Sequence, residues 1–333
     1  MKMAKRLLCT VLCLLVLTMF GCSPARPIES TDEELAVVGT VGEFEVLYEE
    51  FRFVALIYRD MLIDTYGADI FDTPESAEKY AEMIRDYTYD NITYNYAILT
   101  MCREVGIEAD DPVLQKAVED SITDTVKSVG GTRGKYKKYL KENYLTDHFL
   151  RFNTCVDFMQ SELFYVYSDD LGLIETDDEK ISDIILSDFV RTQHIYVSKN
   201  NGKSLEENRK TIEAAYDKLL GGADFMTLVT EYGEDEEMTA SGICFPEGYM
   251  NSGYESAAFA LSVDEYSEII EDTNGYYIIK RIKQDTAYVL ANFYTLKPIY
   301  QEYKFLSMID DIQNTLEFVP NDYLNSIDIL DIK

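Results

Sequence analysis

The sequence contains few basic residues for its length. Thirty Lys and Arg residues stand against 61 Asp and Glu residues in a chain of 333, and the formal net charge is −31. Because nucleic acids are bound largely through lysine and arginine, this balance argues against nucleic-acid binding. It also disfavours close contact with anionic lipid, whereas cationic or basic unfolded polypeptides are compatible with such a surface.

Cysteine and histidine are scarce, and their spacing suits neither disulfides nor metal binding. Of six cysteines, Cys9 and Cys13 lie in an apolar run near the start and Cys22 follows that run. The other three are Cys102, Cys155 and Cys244. An odd number without ligand spacing predicts neither a disulfide framework nor a zinc site, and we expect no cofactor.

The apolar run, residues 7–20, is too short to span a membrane comfortably as a stable helix. Three basic residues precede it, which is the arrangement of an export signal. It ends in "MFGC", which resembles the lipobox of bacterial lipoproteins, although Met19 replaces the usual leucine. The resemblance implies a signal peptide over 1–21 and a lipid on Cys22. An uncleaved anchor helix is the alternative, and it leaves the following domain outside the same membrane.

Residues 22–34 are polar and read as a flexible tether. Beyond them, residues 37–46 alternate in polarity and predict a small hairpin. Apolar positions then recur at helical spacing, which predicts a helix-rich domain over 35–175. His148 lies in the last of these helices with no second ligand or base at helical spacing, so we interpret it as structural.

An acidic stretch at residues 168–180 has no apolar period and marks a boundary. The pattern then changes to a strand around "FVRTQHIYVS" and a helix opened by the capping box of Ser204 and Glu207. Two short helices, an irregular loop between them and a final strand complete a compact α+β unit over 187–286. The segment 292–333 carries an apolar stripe that needs a partner surface, and we expect it to complete the helical domain.

The second unit resembles the parvulin-type peptidyl-prolyl isomerase domain over about residues 189–285. The resemblance rests on four motifs in order: "HIYVS", "GGADFMTLVTEYGED", "EGYMNSGYESAAFALSVDEYSEII" and "NGYYIIKRI". It implies an α+β fold in which a small antiparallel sheet is flanked by helices, inserted into a helix-rich, chaperone-like domain. With the export signal and the flanking helices, the architecture is similar to the extracytoplasmic foldase lipoproteins of Gram-positive bacteria, anchored at the outer face of the cell membrane.

The resemblance implies four catalytic positions. His194 matches the histidine that parvulins carry at the end of their first strand, beneath the bound prolyl peptide bond. The second family histidine is replaced by Tyr277, which we expect within hydrogen-bond reach of His194. Asp235 matches the family's acid or cysteine, and Asp272 and Asn274 stand where many parvulins have serine or threonine before the last strand. The phenol of Tyr277 is larger than an imidazole and has an ordinary pKa near 10, so it cannot form the same polar network. We therefore expect the isomerase activity to be reduced.

The same resemblance implies a pocket for the prolyl ring. Met250 and Tyr254 match the family's methionine and following aromatic residue. Ile243 lies close to the position of the family's leucine that lines the other wall of the pocket. Rotation about an X-Pro amide has a barrier of about 18–20 kcal/mol and makes no covalent bond, so an apolar pocket that favours the twisted amide is the main requirement. The partners implied are prolyl segments of unfolded or folding exported polypeptides.

Three functions remain open from the sequence. The first is a membrane-anchored foldase that isomerises X-Pro bonds in exported proteins. The second is a chaperone whose parvulin domain binds chains without turnover. The third is an unrelated solute-binding or structural lipoprotein, although no repeated α/β lobe is visible.

Overall fold

A computed structural model describes residues 27–333, so the predicted signal peptide and Cys22 lie outside the described residues. The described chain divides into two compact units. One comprises residues 27–173 and 305–333 and is called the helical unit, and the other comprises residues 174–304 and is called the parvulin unit. The predicted α+β class, rich in helices with small antiparallel sheets, is confirmed. From residue 27 onward, no helix combines the length and apolarity needed to cross a membrane.

The first half of the chain is mainly helical. In chain order its elements are β1 (Val37–Val41), β2 (Phe44–Leu47), α1 (Tyr48–Tyr66), a 3-10 turn (Ala68–Phe71), α2 (Pro74–Glu104), α3 (Pro112–Ser128), α4 (Arg133–Glu142), α5 (Asp147–Tyr165) and a π-helical turn (Val166–Asp170). Short polar side chains begin several of these helices. Thr73, Asp111 and Thr146, for example, each accept a hydrogen bond from a free backbone N–H of the first turn.

The second half alternates strands with helices. Its elements are α6 (Asp178–Asp188), β3 (Val190–Ser198), α7 (Leu205–Leu220), α8 (Phe225–Tyr232), β4 (Ile243–Phe245), α9 (Ser252–Ala260), β5 (Ile270–Glu271), β6 (Gly275–Arg281), α10 (Thr286–Gln313), β7 (Phe318–Pro320) and α11 (Asp322–Asn325). The capping box of Ser204 and Glu207 is present at the start of α7, as the sequence predicted.

The C-terminal end of the chain forms part of the helical unit. Strand β7 pairs with β1, on the side opposite β2, and forms a three-stranded antiparallel sheet that the sequence did not reveal. The buried side chains of Phe318, Leu324, Ile329 and Ile332 join the apolar core formed by α1 and α2. The end of the chain from Phe318 onward therefore contributes to this core.

The predicted tether over 22–34 is wrong in its described part. The backbone N–H of Ile28 donates to Asp147 at 3.3 Å, and the Ser30 hydroxyl donates to Glu49 at 3.2 Å. Asp147 and Glu49 are almost fully buried, so these contacts fix the segment against the helical unit. The composition of the segment gives no sign of this docking, because its partners lie far along the chain.

His148 has the structural role that we expected. Its Nδ1 atom contacts the buried Glu49 carboxylate, which also accepts a 2.6 Å hydrogen bond from the Thr146 hydroxyl. A polar group buried without hydrogen-bond partners is destabilising, and these contacts supply the partners of Glu49. His148 thus belongs to the polar contacts that join the start of α5 to α1.

The boundaries of the parvulin unit differ from the predicted 187–286. Helix α6 was not predicted, because its acidic first turn read as linker, yet Ile181 and Ile185 on its inner face are fully buried. Residues 292–304 of α10 were predicted to belong to the helical domain, but Phe293 and Leu296 from this part of the helix pack against this face. Only the residues from 305 onward belong to the helical unit, so the predicted domain boundary at 292 is wrong.

The sheet of the parvulin unit has strand order β4-β3-β6-β5, and all neighbouring strands are antiparallel. Side chains alternate between its two faces. Ile195 and Val197 point to one face and form a core with α7 and α8. On the other face, Ile279 packs with Tyr254 of α9. His194 alternates with Ile195 along β3, so it lies on the face that α9 covers.

Two glycines permit the close approach of backbone on this sheet. A Cβ atom at Gly275 would lie 2.3 Å from the Val197 carbonyl oxygen, and one at Gly242 would lie 2.3 Å from the Thr192 carbonyl oxygen. Gly242 also has a positive φ of 64°. These positions start β6 and lead into β4, so the strands that flank His194 can pair tightly with β3.

Candidate functional site

A polar chain of four side chains runs through His194. Its Nε2 atom lies 2.9 Å from Asp235 Oδ2, and its Nδ1 atom lies 3.0 Å from the Tyr254 hydroxyl. The Tyr254 hydroxyl in turn lies 2.8 Å from Thr192 Oγ1. Strand β3 supplies Thr192 and His194, α9 supplies Tyr254, and the loop after α8 supplies Asp235.

The burial of His194 determines the protonation state of its imidazole. Desolvation lowers the pKa of His194 below its usual value, although the nearby Asp235 carboxylate opposes the shift. The imidazole is therefore neutral at pH 7. A carboxylate only accepts hydrogen bonds, so Nε2 carries the proton and donates to Asp235. Nδ1 then accepts from the Tyr254 hydroxyl, and the Thr192 hydroxyl donates to Tyr254.

The expected hydrogen bond between His194 and Tyr277 is wrong. In the register of β3 and β6, His194 lies opposite Ile279, and Tyr277 lies opposite Tyr196. Tyr277 is consequently a diagonal neighbour, and its ring meets the imidazole edge-to-face with centroids 5.8 Å apart. It stacks on Tyr196 with centroids at 4.7 Å, and burial raises the pKa of its hydroxyl above the ordinary value.

Tyr254 does not form an open wall of a pocket. Only 1% of its surface is exposed, and its hydroxyl is used within the polar chain. Burial raises the pKa of this hydroxyl, so it stays protonated and donates to His194. The prediction that Tyr254 contacts the substrate directly is therefore wrong. Its hydroxyl holds the imidazole of His194 in place by a hydrogen bond.

The structure does not bring Asn274 to the site. The residue is exposed in the turn between β5 and β6, where its backbone carbonyl accepts hydrogen bonds from the Lys199 N–H and the Tyr196 hydroxyl. Asp272 is the residue of this turn that faces α9, since its carboxylate accepts a 2.7 Å hydrogen bond from Asn251.

An apolar surface lies beside His194. Ile243, Met250 and Tyr277 are half-buried and pack on one cluster that contains Tyr254 and Ile279. Each comes from a separate segment, namely β4, the loop before α9, and β6. Half-buried apolar side chains around a polar group suit the binding of an apolar ring next to a peptide bond.

Thr192 and Tyr196 are two members of the site that the sequence argument missed. The signal was available, because residues two apart on a strand share a face and both lie two positions from His194. Tyr196 stacks on Tyr277 and stands edge-to-face to His194 at 6.5 Å. From residue 27 to the end, no group of three or more His, Cys, Asp and Glu side chains is placed to hold a metal ion.

Comparison with known proteins identifies the domain. Residues 194–283 match the family model described as Rotamase, PPIC-type PPIASE domain. The chain therefore carries a peptidyl-prolyl cis-trans isomerase domain of the parvulin class.

Longer alignments relate the chain to foldases. It is 24% identical over 319 residues to the foldase protein PrsA of Caldanaerobacter subterraneus, covering 93% of this chain and 86% of that protein. It is also 24% identical over 223 residues to the foldase protein PrsA of Halalkalibacterium halodurans, covering 66% and 59% of the two chains. The protein is thus a homologue of the PrsA foldases of Gram-positive bacteria. The crystal structure of a Bacillus anthracis peptidylprolyl isomerase (PrsA) aligns with 66% of this chain and 94% of its own, at 19% identity and a TM-score of 0.35.

Proposed function

We propose that this protein is a membrane-anchored foldase that isomerises X-Pro peptide bonds in exported polypeptides. The observation that carries the proposal is the neutral, buried His194, held between Asp235 and Tyr254 beside the half-buried apolar surface of Ile243, Met250 and Tyr277. The PPIC-type domain and the PrsA homologues support the same activity.

Isomerisation needs only a site that binds the twisted amide better than either planar form. In this proposal Met250 and Ile243 hold the prolyl ring and remove water from the peptide bond. His194, Asp235, Tyr254 and Thr192 form a fixed polar floor beneath the peptide bond. This floor stabilises the twisted amide electrostatically, and the reaction requires no proton transfer. Because every polar atom of the floor has a partner, the floor does not need to reorganise as the bond rotates.

A chaperone that binds chains without turnover is the second candidate. The observation that favours it is Tyr277, which stands in place of the second family histidine and makes no hydrogen bond to His194 in the described structure. In that case the helical unit and the apolar surface hold unfolded clients, and the polar chain serves only to stabilise the fold.

A two-part assay separates the candidates. The chain without residues 1–22 and its His194→Ala variant are compared for isomerisation of a proline peptide and for suppression of aggregation of an unfolded client. A foldase shows turnover that falls at least tenfold in the variant. A chaperone without isomerase activity shows no turnover in either protein and equal suppression in both.

Location outside the cytoplasm is part of the proposal. The export signal and the "MFGC" sequence around Cys22 support lipid attachment, and the clients would then be proteins that fold after export. The acidic surface fits such clients when they are basic or unfolded. We assign the chaperone-like role to the helical unit, which has its own apolar core.

A further inference from the structure

The two walls of the apolar surface come from segments that are not joined by a sheet. Met250 lies in the loop before α9, whereas Tyr277 lies on β6. Tight binding of a prolyl ring requires a constant distance between these two walls. A displacement of one wall by about 1 Å already weakens binding and catalysis. Some contact must therefore connect the loop to β6.

The loop itself is held by the first turn of α9. Glu255 Oε2 accepts hydrogen bonds from the backbone N–H groups of Gly248 at 2.7 Å and Met250 at 3.1 Å. Asn251 caps the helix, since its Oδ1 atom accepts from the Tyr254 N–H at 3.4 Å. Met250 and Tyr254 thus move with the start of α9 as one piece.

The cap residue also reaches across to the turn before β6. Asn251 Nδ2 donates to Asp272 Oδ2 at 2.7 Å. The other oxygen, Asp272 Oδ1, accepts from the backbone N–H groups of Asn274 at 2.8 Å and Gly275 at 2.9 Å. Gly275 begins β6, two residues before Tyr277, so one side-chain pair ties the Met250 wall to the Tyr277 wall.

The turn is fixed from its other side as well. Lys199 Nζ donates to the backbone carbonyl of Asp272 at 2.6 Å, and the Lys199 N–H donates to the carbonyl of Asn274. Asp272 therefore has a defined position relative to β3, which carries His194. The pair of Asn251 and Asp272 transmits that position to α9.

We propose that Asn251 and Asp272 form a clasp that positions the two walls of the prolyl site, so that both are positioning residues for substrate binding. This inference rests on the proposed function, because it concerns the same site. Asn251 touches no substrate atom in this role and acts through Met250. Loss of the clasp should weaken binding more than it slows the bound substrate.

The alternative is that Asn251 serves only as a helix cap, and conservative variants distinguish the two roles. Asn251→Ser keeps a good cap but removes the donor to Asp272. Asn251→Asp keeps the cap and sets two carboxylates against each other, and Asp272→Asn sets two amide NH₂ groups against each other. The exchange Asn251→Asp with Asp272→Asn restores one donor, one acceptor, the cap and the net charge.

The test measures KM and kcat for a proline peptide, its Kd by titration, and the thermal midpoint, all in the chain without residues 1–22. For Asn251→Ser we expect KM and Kd to rise about fivefold while kcat changes by less than about twofold. Each single charge-altering variant should bind more weakly still, and the exchanged pair should return within about twofold of the wild type.

Four outcomes overturn the clasp. If Asn251→Ser lowers the thermal midpoint and leaves KM and Kd unchanged, the residue is only a cap. If the exchanged pair binds as weakly as the single variants, the hydrogen bond is not the cause. A wild-type chain that neither binds nor turns over the peptide refutes the proposed function and this inference together. Wild-type activity or binding with unaffected variants refutes the clasp alone.

Discussion

The ring of Tyr277 stands perpendicular to the imidazole of His194, from a diagonal position on the neighbouring strand. The two hydrogen-bonding atoms of His194 are directed instead at Asp235 and Tyr254. Tyr277, which we predict to replace the second family histidine, therefore stacks on Tyr196 and is not a member of the polar chain.

Restoring histidine at position 277 should raise isomerase activity. An imidazole is smaller than a phenol and can offer a second polar atom beside the prolyl bond, so we expect kcat/KM of Tyr277→His to increase about tenfold, the equivalent of one modest hydrogen bond. The control is Tyr277→Phe, which keeps the ring on Tyr196 and should change kcat/KM by less than about twofold. A decrease in the histidine variant would contradict the site.

The pKa of His194 should lie below its ordinary value of 6.5, because desolvation is the largest influence on it. The chain has only two histidines, so ring signals in an NMR titration can be assigned with one His148→Gln variant. Replacing Asp235 by Asn should lower the pKa of His194 further, since the carboxylate charge raises it. A midpoint at or above 6.5 in the wild type would refute the neutral, buried imidazole.

The same shift gives a stability prediction with a definite sign. Below pH 6.5 the unfolded chain takes up a proton at His194 before the folded chain does, so the contribution of this group to stability is lost as the pH falls. Chemical unfolding should give a difference in unfolding free energy between wild type and His194→Gln that is constant well above pH 6.5. As the pH falls below 6.5, the wild type should lose stability relative to the variant.

Glu50 in the helical unit should produce the opposite dependence. Burial raises the pKa of its carboxyl to about 8, even though the Tyr96 hydroxyl donates to it at 3.0 Å. The folded state holds this proton up to pH 8 and the unfolded state only up to about 4.5, so stability falls as the pH rises through that range.

Glu50→Gln should remove this dependence. Relative to wild type, its unfolding free energy should increase between pH 5 and pH 8 by on the order of 4 kcal/mol. The matched control is Glu45→Gln, an exposed glutamate five positions away, for which no such change is expected. Equal behaviour of the two variants would show that Glu50 is ionised in the folded protein.

A charge at the apolar surface should weaken peptide binding. Met250→Lys places an ammonium group where the prolyl ring is proposed to lie, and an unpaired charge is poorly tolerated at a desolvated site, so Kd should rise at least tenfold. Leu220→Lys is the control, because Leu220 is 60% exposed at the end of α7. Similar losses in both variants would indicate a general effect of charge rather than a site.

Lipid attachment predicts a specific loss of labelling. In cells given a fatty-acid analogue, Cys22→Ala should eliminate the label and release the protein or leave the signal uncleaved. Cys13→Ala, within the predicted signal peptide, should be labelled like the wild type. Undiminished labelling of the Cys22 variant would refute the anchor.

Local patterns explain which elements could be predicted from the sequence. Strand β3 and helix α7 were predicted because alternation and a capping box are properties of neighbouring residues. Strand β4 has three residues, too few for a pattern, and it was read as loop. Helix α6 was missed because its charged first turn outweighed two buried isoleucines.

The site shows a second limit of sequence reasoning. The motifs placed His194, Asp235 and Met250 near one another in the expected order, but the hydrogen-bond partner of His194 depends on the register of β3 against β6. A register in which His194 faces Ile279 follows from the packing of two whole strands, and no single residue specifies it. The roles of Tyr254 and Tyr277 were therefore exchanged.

If Cys22 carries a lipid, as we propose, the docking of Ile28 and Ser30 limits the distance between the helical unit and the membrane. With a lipid on Cys22, five residue steps separate the anchor from Pro27, and an extended chain advances at most about 3.6 Å per step, or about 18 Å in total. Such a leash is shorter than the diameter of a small domain. The helical unit would then be held close to the membrane surface, although its own acidic side chains disfavour direct contact with anionic lipid.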